Sequence, residues 1–253
     1  VVYCLYNPHQ YIFVIIKRWL ARQRADPFVR RARIESYRCR SAFKLLQLHS
    51  QLADDLLRPG EIVVDCGAAP GSWSQVAAAH VLSSRGSPTG RGGLVIALDL
   101  LDFVPIPGVV CYPHTDLRDW KKCVQLVENS IVNYLDSDAA DSAAIPGVNL
   151  IISDMAPNAS GCRSLDVPAM MQLADCVLQL AVRVSAPGAS LVIKLWESKE
   201  AASFANLVSR FYVGCPSRSE AVRLHKPEAS RKDSSEIYLI ARGFRLPSAS
   251  HIN

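Results

Sequence analysis

Several familiar signatures are missing from this chain, and each absence closes off a class of protein. The eight cysteines contain no Cys-x-x-Cys pair, and the six histidines show no metal-ligand spacing. Neither a redox dithiol nor a metal site is expected, and reduced thiols in a reducing compartment are the plain reading. The apolar run at residues 11–16 (YIFVII) is far shorter than the ~20 residues that span a bilayer, so no membrane role is expected. There is no Gly-x-Gly-x-x-Gly turn, which speaks against a dinucleotide site, and no Gly-x-x-x-x-Gly-Lys loop, which speaks against a nucleoside triphosphate site.

What is present is enough for one sizeable core: 253 residues, 49% of them hydrophobic. The net charge of +5 hides an asymmetry. Residues 17–44 hold ten lysines and arginines against Asp26 and Glu35, which gives +8 there and leaves −3 for the rest. A basic segment on a mildly acidic body suggests a polyanionic partner such as RNA. A mitochondrial presequence and a solvated helix face are the competing explanations, but the basic pattern runs straight into the folded domain.

The chain is organised around Ile62-Val63-Val64-Asp65-Cys66-Gly67-Ala68-Ala69-Pro70-Gly71-Ser72-Trp73-Ser74-Gln75. This reads as a buried strand, a glycine turn and a helix start, with Ser72 or Ser74 available as cap. Gly67 and Gly71 permit tight backbone turns and close approach of a ligand. Upstream, residues 1–16 are given no fold role. Residues 19–33 read as a basic helix, and 41–50 as a second helix with Phe43, Leu45, Leu46 and Leu48 turned inward and Lys44 among them. Downstream, strands are expected at 94–99, 108–112, 148–154, 190–194, 221–224 and 236–241. Helices are expected at 73–82, 119–134, 168–184 and 199–210, with low-complexity loops at 83–93 and 136–146. The expected fold class is therefore α/β and Rossmann-like, with a mostly parallel seven-stranded sheet and helices on both faces.

Functional groups in such a sheet collect beyond the carboxyl ends of the strands. Here the first five ends deliver the glycine turn, Asp99, Asp116, Asp154 and Lys194 in succession. Solvation alone accounts poorly for five polar endings in a row. The turn lacks the glycine that faces a pyrophosphate, so it suits a cofactor with ribose and adenine but no phosphates. That points to S-adenosylmethionine.

At this point the sequence resembles the FtsJ/RrmJ family of ribosomal RNA 2′-O-methyltransferases, in particular its mitochondrial large-subunit branch. The resemblance is carried by Arg40-Ser41-Ala42-Phe43-Lys44-Leu45, Asp65-Cys66-Gly67-Ala68-Ala69-Pro70-Gly71 and Ser153-Asp154-Met155-Ala156-Pro157-Asn158. It continues with Ile193-Lys194, Lys226-Pro227, Ser230-Arg231 and Ser235-Glu236-Ile237-Tyr238, and so covers residues 19–241. It implies a class I S-adenosylmethionine-dependent methyltransferase whose Lys-Asp-Lys-Glu catalytic tetrad would fall on Lys44, Asp154, Lys194 and Glu236. Cofactor contacts would fall on Gly67, Pro70, Gly71, Ser72, Trp73, Asp99, Asp116 and Asp154. Ser72 stands where bacterial members usually carry a second glycine, and both low-complexity loops are longer than in the compact bacterial form. Trp73 is as well suited to the core as to a cofactor, and Lys226, Arg231 and Lys232 form a small second basic cluster.

The chemistry of such a tetrad follows from the reaction. Methyl transfer from a sulfonium is an in-line displacement, so holding oxygen, methyl and sulfur in line is most of the task. Lys194 is the candidate base for the ribose hydroxyl. Nearby cations favour its neutral form and the two carboxylates oppose it, so it could instead stabilise the developing alkoxide as a cation. The resemblance implies methylation of a uridine in the peptidyl-transferase A loop of large-subunit rRNA, and the insertion pattern and arginine-rich start, which resemble the mitochondrial branch, place the enzyme in the mitochondrial matrix. A ribosomal particle as substrate and a monomeric enzyme are further expectations. The Asp154-Met155-Ala156-Pro157 wording favours rRNA over tRNA anticodon loops. A tRNA or mRNA-cap 2′-O-methyltransferase and a catalytically dispensable RNA-binding assembly factor are the alternatives. The expected organisation is an N-terminal extension (1–18), a methyltransferase domain (19–245) and a tail (246–253).

Overall fold

A computed structural model of the chain describes residues 17, 20–52, 56–136, 145–214 and 221–246. The expected extension, apart from residue 17, most of the 136–146 loop and most of the tail lie outside the described residues. The helices are α1 (Pro27–Ile34), α2 (Ala42–Gln51), α3 (Ser72–Val81), α4 (Trp120–Asp136), α5 (Arg163–Val184) and α6 (Lys199–Val208). The strands are β1 (Ile62–Cys66), β2 (Leu94–Leu98), β3 (Val109–Tyr112), β4 (Val148–Ser153), β5 (Ser185–Trp196), β6 (Val222–His225) and β7 (Glu236–Arg242).

Seven strands form one sheet in the order β3-β2-β1-β4-β5-β7-β6. The pairs from β3 through β5 are parallel, and β7 runs antiparallel to both β5 and β6. The strand order reverses between β1 and β4, so the crevice for a ligand lies beyond their carboxyl ends. Continuous apolar strands need cover on both faces. Val63, Val95, Leu150, Val192 and Tyr238 pack with Leu45 and Leu48 of α2 and Trp73 and Val76 of α3. Val64, Ile96, Ile151, Leu191 and Leu239 face Val127 and Ile131 of α4 and Val177 and Ala181 of α5 on the other side. Helix α5 is long and apolar enough to cross a membrane by length and composition, but its Met170, Ala174, Val177 and Ala181 are buried in this core.

Three expected elements are corrected. The single basic helix at 19–33 is broken at Asp26: residues 20–25 are helical, and a new helix begins at Pro27. The Asp26 carboxylate accepts from the Phe28 N–H at 3.0 Å, and Pro27 takes a first-turn position where its missing N–H costs nothing. Helix α5 starts at Arg163, a turn before Pro168. Asp166 pins that extra turn by accepting from the Ser160 N–H and hydroxyl and the Gly161 N–H. Strand β5 begins at Ser185 rather than 190 and carries a register shift against β4.

Candidate active site

Strand alternation sets out one wall of the site. On β7, Glu236 and Tyr238 share the face that meets α2, and Lys194 on β5 pairs directly across from Tyr238. Helix α2 supplies Lys44 on its buried side, beside Leu45 and Leu48. Asp154 follows the end of β4 immediately. Residues 44, 154, 194 and 236 are thereby gathered from four separate segments.

The four charges form a closed array. Lys44 Nζ lies 2.9 Å from Glu236 Oε1 and donates to Oε2 at 2.9 Å. It is also 3.6 Å from Asp154 Oδ1. Lys194 Nζ is 3.2 Å from Asp154 Oδ1 and 3.9 Å from Glu236 Oε2, and it donates to the Asp154 main-chain carbonyl at 3.2 Å. Lys44 and Glu236 are buried, while Asp154 and Lys194 are half-buried. Burial pushes the Glu236 carboxyl upward, but the Lys44 ammonium, its hydrogen bonds and Lys194 outweigh this and hold it below the ordinary value. The Tyr238 hydroxyl donates to Asp154 Oδ1 at 2.6 Å. Burial and the charges of Asp154 and Glu236 raise that phenol well above its usual range, so it stays a donor.

Lys44 and Glu236 also line a cleft of about 290 Å³ whose other walls include Arg22, Arg40, Arg231 and Asp233. Arg40 pairs with Asp26 and donates to the Ala229 carbonyl, and Arg231 lies 3.7 Å from the same Asp26 carboxylate. The mouth of the tetrad is therefore cationic. On α1 and just before it, Arg24, Arg30, Arg31 and Arg33 are exposed.

The glycine turn lies at the β1–α3 junction. Gly67 and Gly71 have φ of 74° and 109°, and both also make room for neighbours. A Cβ at Gly67 would lie 1.9 Å from Met155 Cγ, and one at Gly71 2.6 Å from Ile106 Cδ1. Gly71 itself is the N-cap of α3, so neither serine caps with its side chain. Ser74 Oγ instead donates to Asp65 at 2.6 Å, and Ser72 Oγ lies 2.7 Å from Ser41 Oγ and 3.0 Å from Cys39 Sγ. Trp73 is 2% exposed, stacks at a tilt on Tyr238 and donates its indole N–H to the Ser41 carbonyl. The Ser72 and Trp73 side chains thus turn inward, leaving main chain as what they offer a cofactor.

The remaining expected contacts lie along the same crevice. Asp99 accepts from the Ala69 N–H with one carboxylate oxygen and from the Leu101 N–H with the other, both at 2.7 Å. Each oxygen keeps a lone pair for a hydroxyl. Asp116 is more open and is held below the usual carboxylate range by its bonds to Arg118. The first amides of α3 lack intrahelical acceptors and sit at the positive end of the helix, a setting for a carboxylate. Paired hydroxyls at Asp99 and a carboxylate at α3 fit the ribose and amino-acid ends of S-adenosylmethionine. Among the described residues no group of three His, Cys, Asp or Glu side chains could hold a metal ion.

Two participants escaped the sequence reading. Tyr238 carries a signal, since it lies two residues past Glu236 on a strand and must share its face. Arg38, which reaches residues 32 to 67 positions away, carries none.

The FtsJ-like methyltransferase family model matches residues 37–244. Over 229 residues the chain is 39% identical to a Drosophila melanogaster protein named "rRNA methyltransferase 2, mitochondrial", covering 90% of this chain and 83% of that one. It is 38% identical over 230 residues to "Ribosomal RNA large subunit methyltransferase E" of Xanthomonas oryzae pv. oryzae (strain PXO99A), covering 91% and 95%. A crystal structure named for a candidate ribosomal RNA methyltransferase of Plasmodium falciparum superposes with a TM-score of 0.60 at 22% identity, over 82% of this chain and 98% of that chain. That last likeness concerns the fold alone.

Proposed function

Because the chain belongs to the FtsJ-like methyltransferase family, we propose that it methylates a ribose 2′-oxygen of large-subunit ribosomal RNA. The acceptor is a uridine in the peptidyl-transferase A loop, presented within a ribosomal particle in the mitochondrial matrix. The observation that carries this reading is the array of Lys44, Asp154, Lys194 and Glu236 at the inner end of a cationic cleft. The relatives' names support rRNA as substrate, and the Drosophila protein's name supports the compartment.

S-adenosylmethionine, when bound, supplies an electrophilic methyl group on a sulfonium. Gly67, Pro70 and Gly71 shape the turn that would receive it, Asp99 would accept from the ribose hydroxyls, and the α3 amides would meet the carboxylate. Asp116 would be a further contact for the cofactor. Arg22 and Arg231 meet RNA phosphates at the cleft mouth, with Arg40, held by Asp26, adding positive charge to the wall behind them. Lys194 would take the 2′-hydroxyl proton as the oxygen–carbon bond forms and the carbon–sulfur bond breaks, the sulfur leaving with that bond's electron pair as a neutral thioether. Both carboxylates beside Lys194 are engaged by other partners. Lys44 grips Glu236 with two contacts at 2.9 Å, and Tyr238 draws on Asp154 at 2.6 Å. Lys44 also adds a positive charge facing the site.

Labelled-methyl transfer to separate large-subunit rRNA, tRNA and capped transcripts tests the substrate. Labelling of rRNA alone supports the proposal. Preference for tRNA or a cap would replace it with the same chemistry on another RNA. Absence of transfer to any of them, with RNA binding intact, would favour an assembly factor.

A further inference from the structure

Arg38 lies between the basic N-terminal helices and α2, and its side chain turns back across the glycine turn. Its guanidinium donates to the Pro70 carbonyl at 2.7 Å and the Pro105 carbonyl at 2.8 Å, and to the Val104 carbonyl as well. One planar cation thus ties the β1–α3 turn to the β2–β3 loop. The fork geometry of arginine suits this, because several carbonyls can be met by one rigid group.

The loop it holds begins at Asp99, whose carboxylate anchors that end to the Ala69 N–H. Phe103 and Ile106 tuck under the loop against Ala68 and Ala97, while Leu100, Leu101 and Val104 are 57%, 64% and 73% exposed. With three of these five apolar side chains outside, the loop has limited packing to keep it shut. Arg38 is itself fixed: its N–H donates to Gln75 Oε1 at 2.9 Å, and Gln75 Nε2 donates to the Ser36 carbonyl at 3.1 Å. The two clamped segments, 67–71 and 99–106, carry the proposed donor contacts Gly67, Pro70, Gly71 and Asp99.

We infer that Arg38 is a positioning residue for the methyl donor: it closes the 99–106 loop onto the glycine turn and so sets donor affinity, without contacting RNA. This rests on the S-adenosylmethionine reading above. Although Arg38 belongs to the basic segment by sequence, three of its donors are spent on carbonyls rather than offered to phosphate.

The test uses the full chain with Arg38→Ala, Arg38→Lys and Ile106→Ala, the last loosening the same closure from the loop side. Three quantities are read: amide hydrogen exchange of residues 99–106 without ligand, S-adenosylhomocysteine affinity by calorimetry, and the salt dependence of binding to a large-subunit rRNA transcript. For Arg38→Ala, exchange in the loop should rise at least tenfold and product affinity should fall about tenfold or more. Arg38→Lys should recover part of both. Ile106→Ala should weaken product binding in the same direction, and the double variant should lose less than the two singles together. The RNA salt slope should not change. Unaltered loop exchange in Arg38→Ala overturns the clamp, and so does a salt slope reduced by about one, which would make Arg38 a phosphate ligand. If the wild-type chain bound no S-adenosylhomocysteine, the donor assignment would fail, and loop exchange would still decide the clamp.

Discussion

Asp65 is a carboxyl group placed where water cannot reach, at the end of β1 beneath the glycine turn. Burial, with added repulsion from Asp154 and Asp99, pushes it up to about 7, against bonds from the Ser74 hydroxyl and N–H. An acid whose folded pKa lies above its unfolded value of 3.8 binds more protons folded than unfolded between those two values. Stability therefore falls as pH rises from about 4 to about 7, by up to about 4 kcal/mol from this group. Asp65→Asn should flatten that part of the profile in urea melts taken at several pH values; an unchanged slope would mean the group is ionised in the fold. Glu236 has the opposite sign. Its lowered pKa adds stability above the carboxylate range that is lost as pH falls through it. These two titrations were invisible in the sequence, because burial and partners contributed by distant segments set both of them. The identities of Lys44, Asp154, Lys194 and Glu236 were legible, since each sits in a motif readable over a few residues.

At the scale of elements, the basic segment is divided into working parts. Asp26 stops one helix, caps the next and holds Arg40 at the wall of the cleft. Asp26→Ala should cost about 1–2 kcal/mol in urea unfolding through loss of the cap, and it should also weaken RNA binding by releasing Arg40. Farther along, Arg30 and Arg33 of α1 are exposed. Replacing both with Glu should lower rRNA affinity across sequences and reduce the salt slope by about one for each phosphate no longer neutralised, with donor affinity unchanged. The missed break at Asp26-Pro27 has a local cause: helix-forming arginines and alanines on both sides mask a start signal two residues long. The early start of α5 rests on side-chain bonding rather than on apolar periodicity, since Asp166 folds back onto Ser160 and Gly161.

For the molecule as a whole, strand–helix alternation was enough to expect a seven-stranded, mostly parallel sheet, and the structure has that sheet with one antiparallel strand, β7. That inversion matters for the site. It brings Glu236 at the start of β7 beside Lys194 near the carboxyl end of β5, a proximity that spacing along the chain could not reveal. The fold thus brings the proposed donor-binding residues after β1 and β2 and the four charged residues from α2, the end of β4, β5 and β7 to one edge of one sheet. On the proposed function, this edge transfers a methyl group to a ribose oxygen through Lys194. The most direct measurement maps 2′-O-methylated riboses on large-subunit rRNA after reaction with wild-type protein and with Lys194→Ala. Wild type should add a methyl at one ribose, while Lys194→Ala should bind S-adenosylhomocysteine equally well and react ~10²–10⁴-fold more slowly. A methyl group found on a base, or full ribose methylation by Lys194→Ala, would contradict the account.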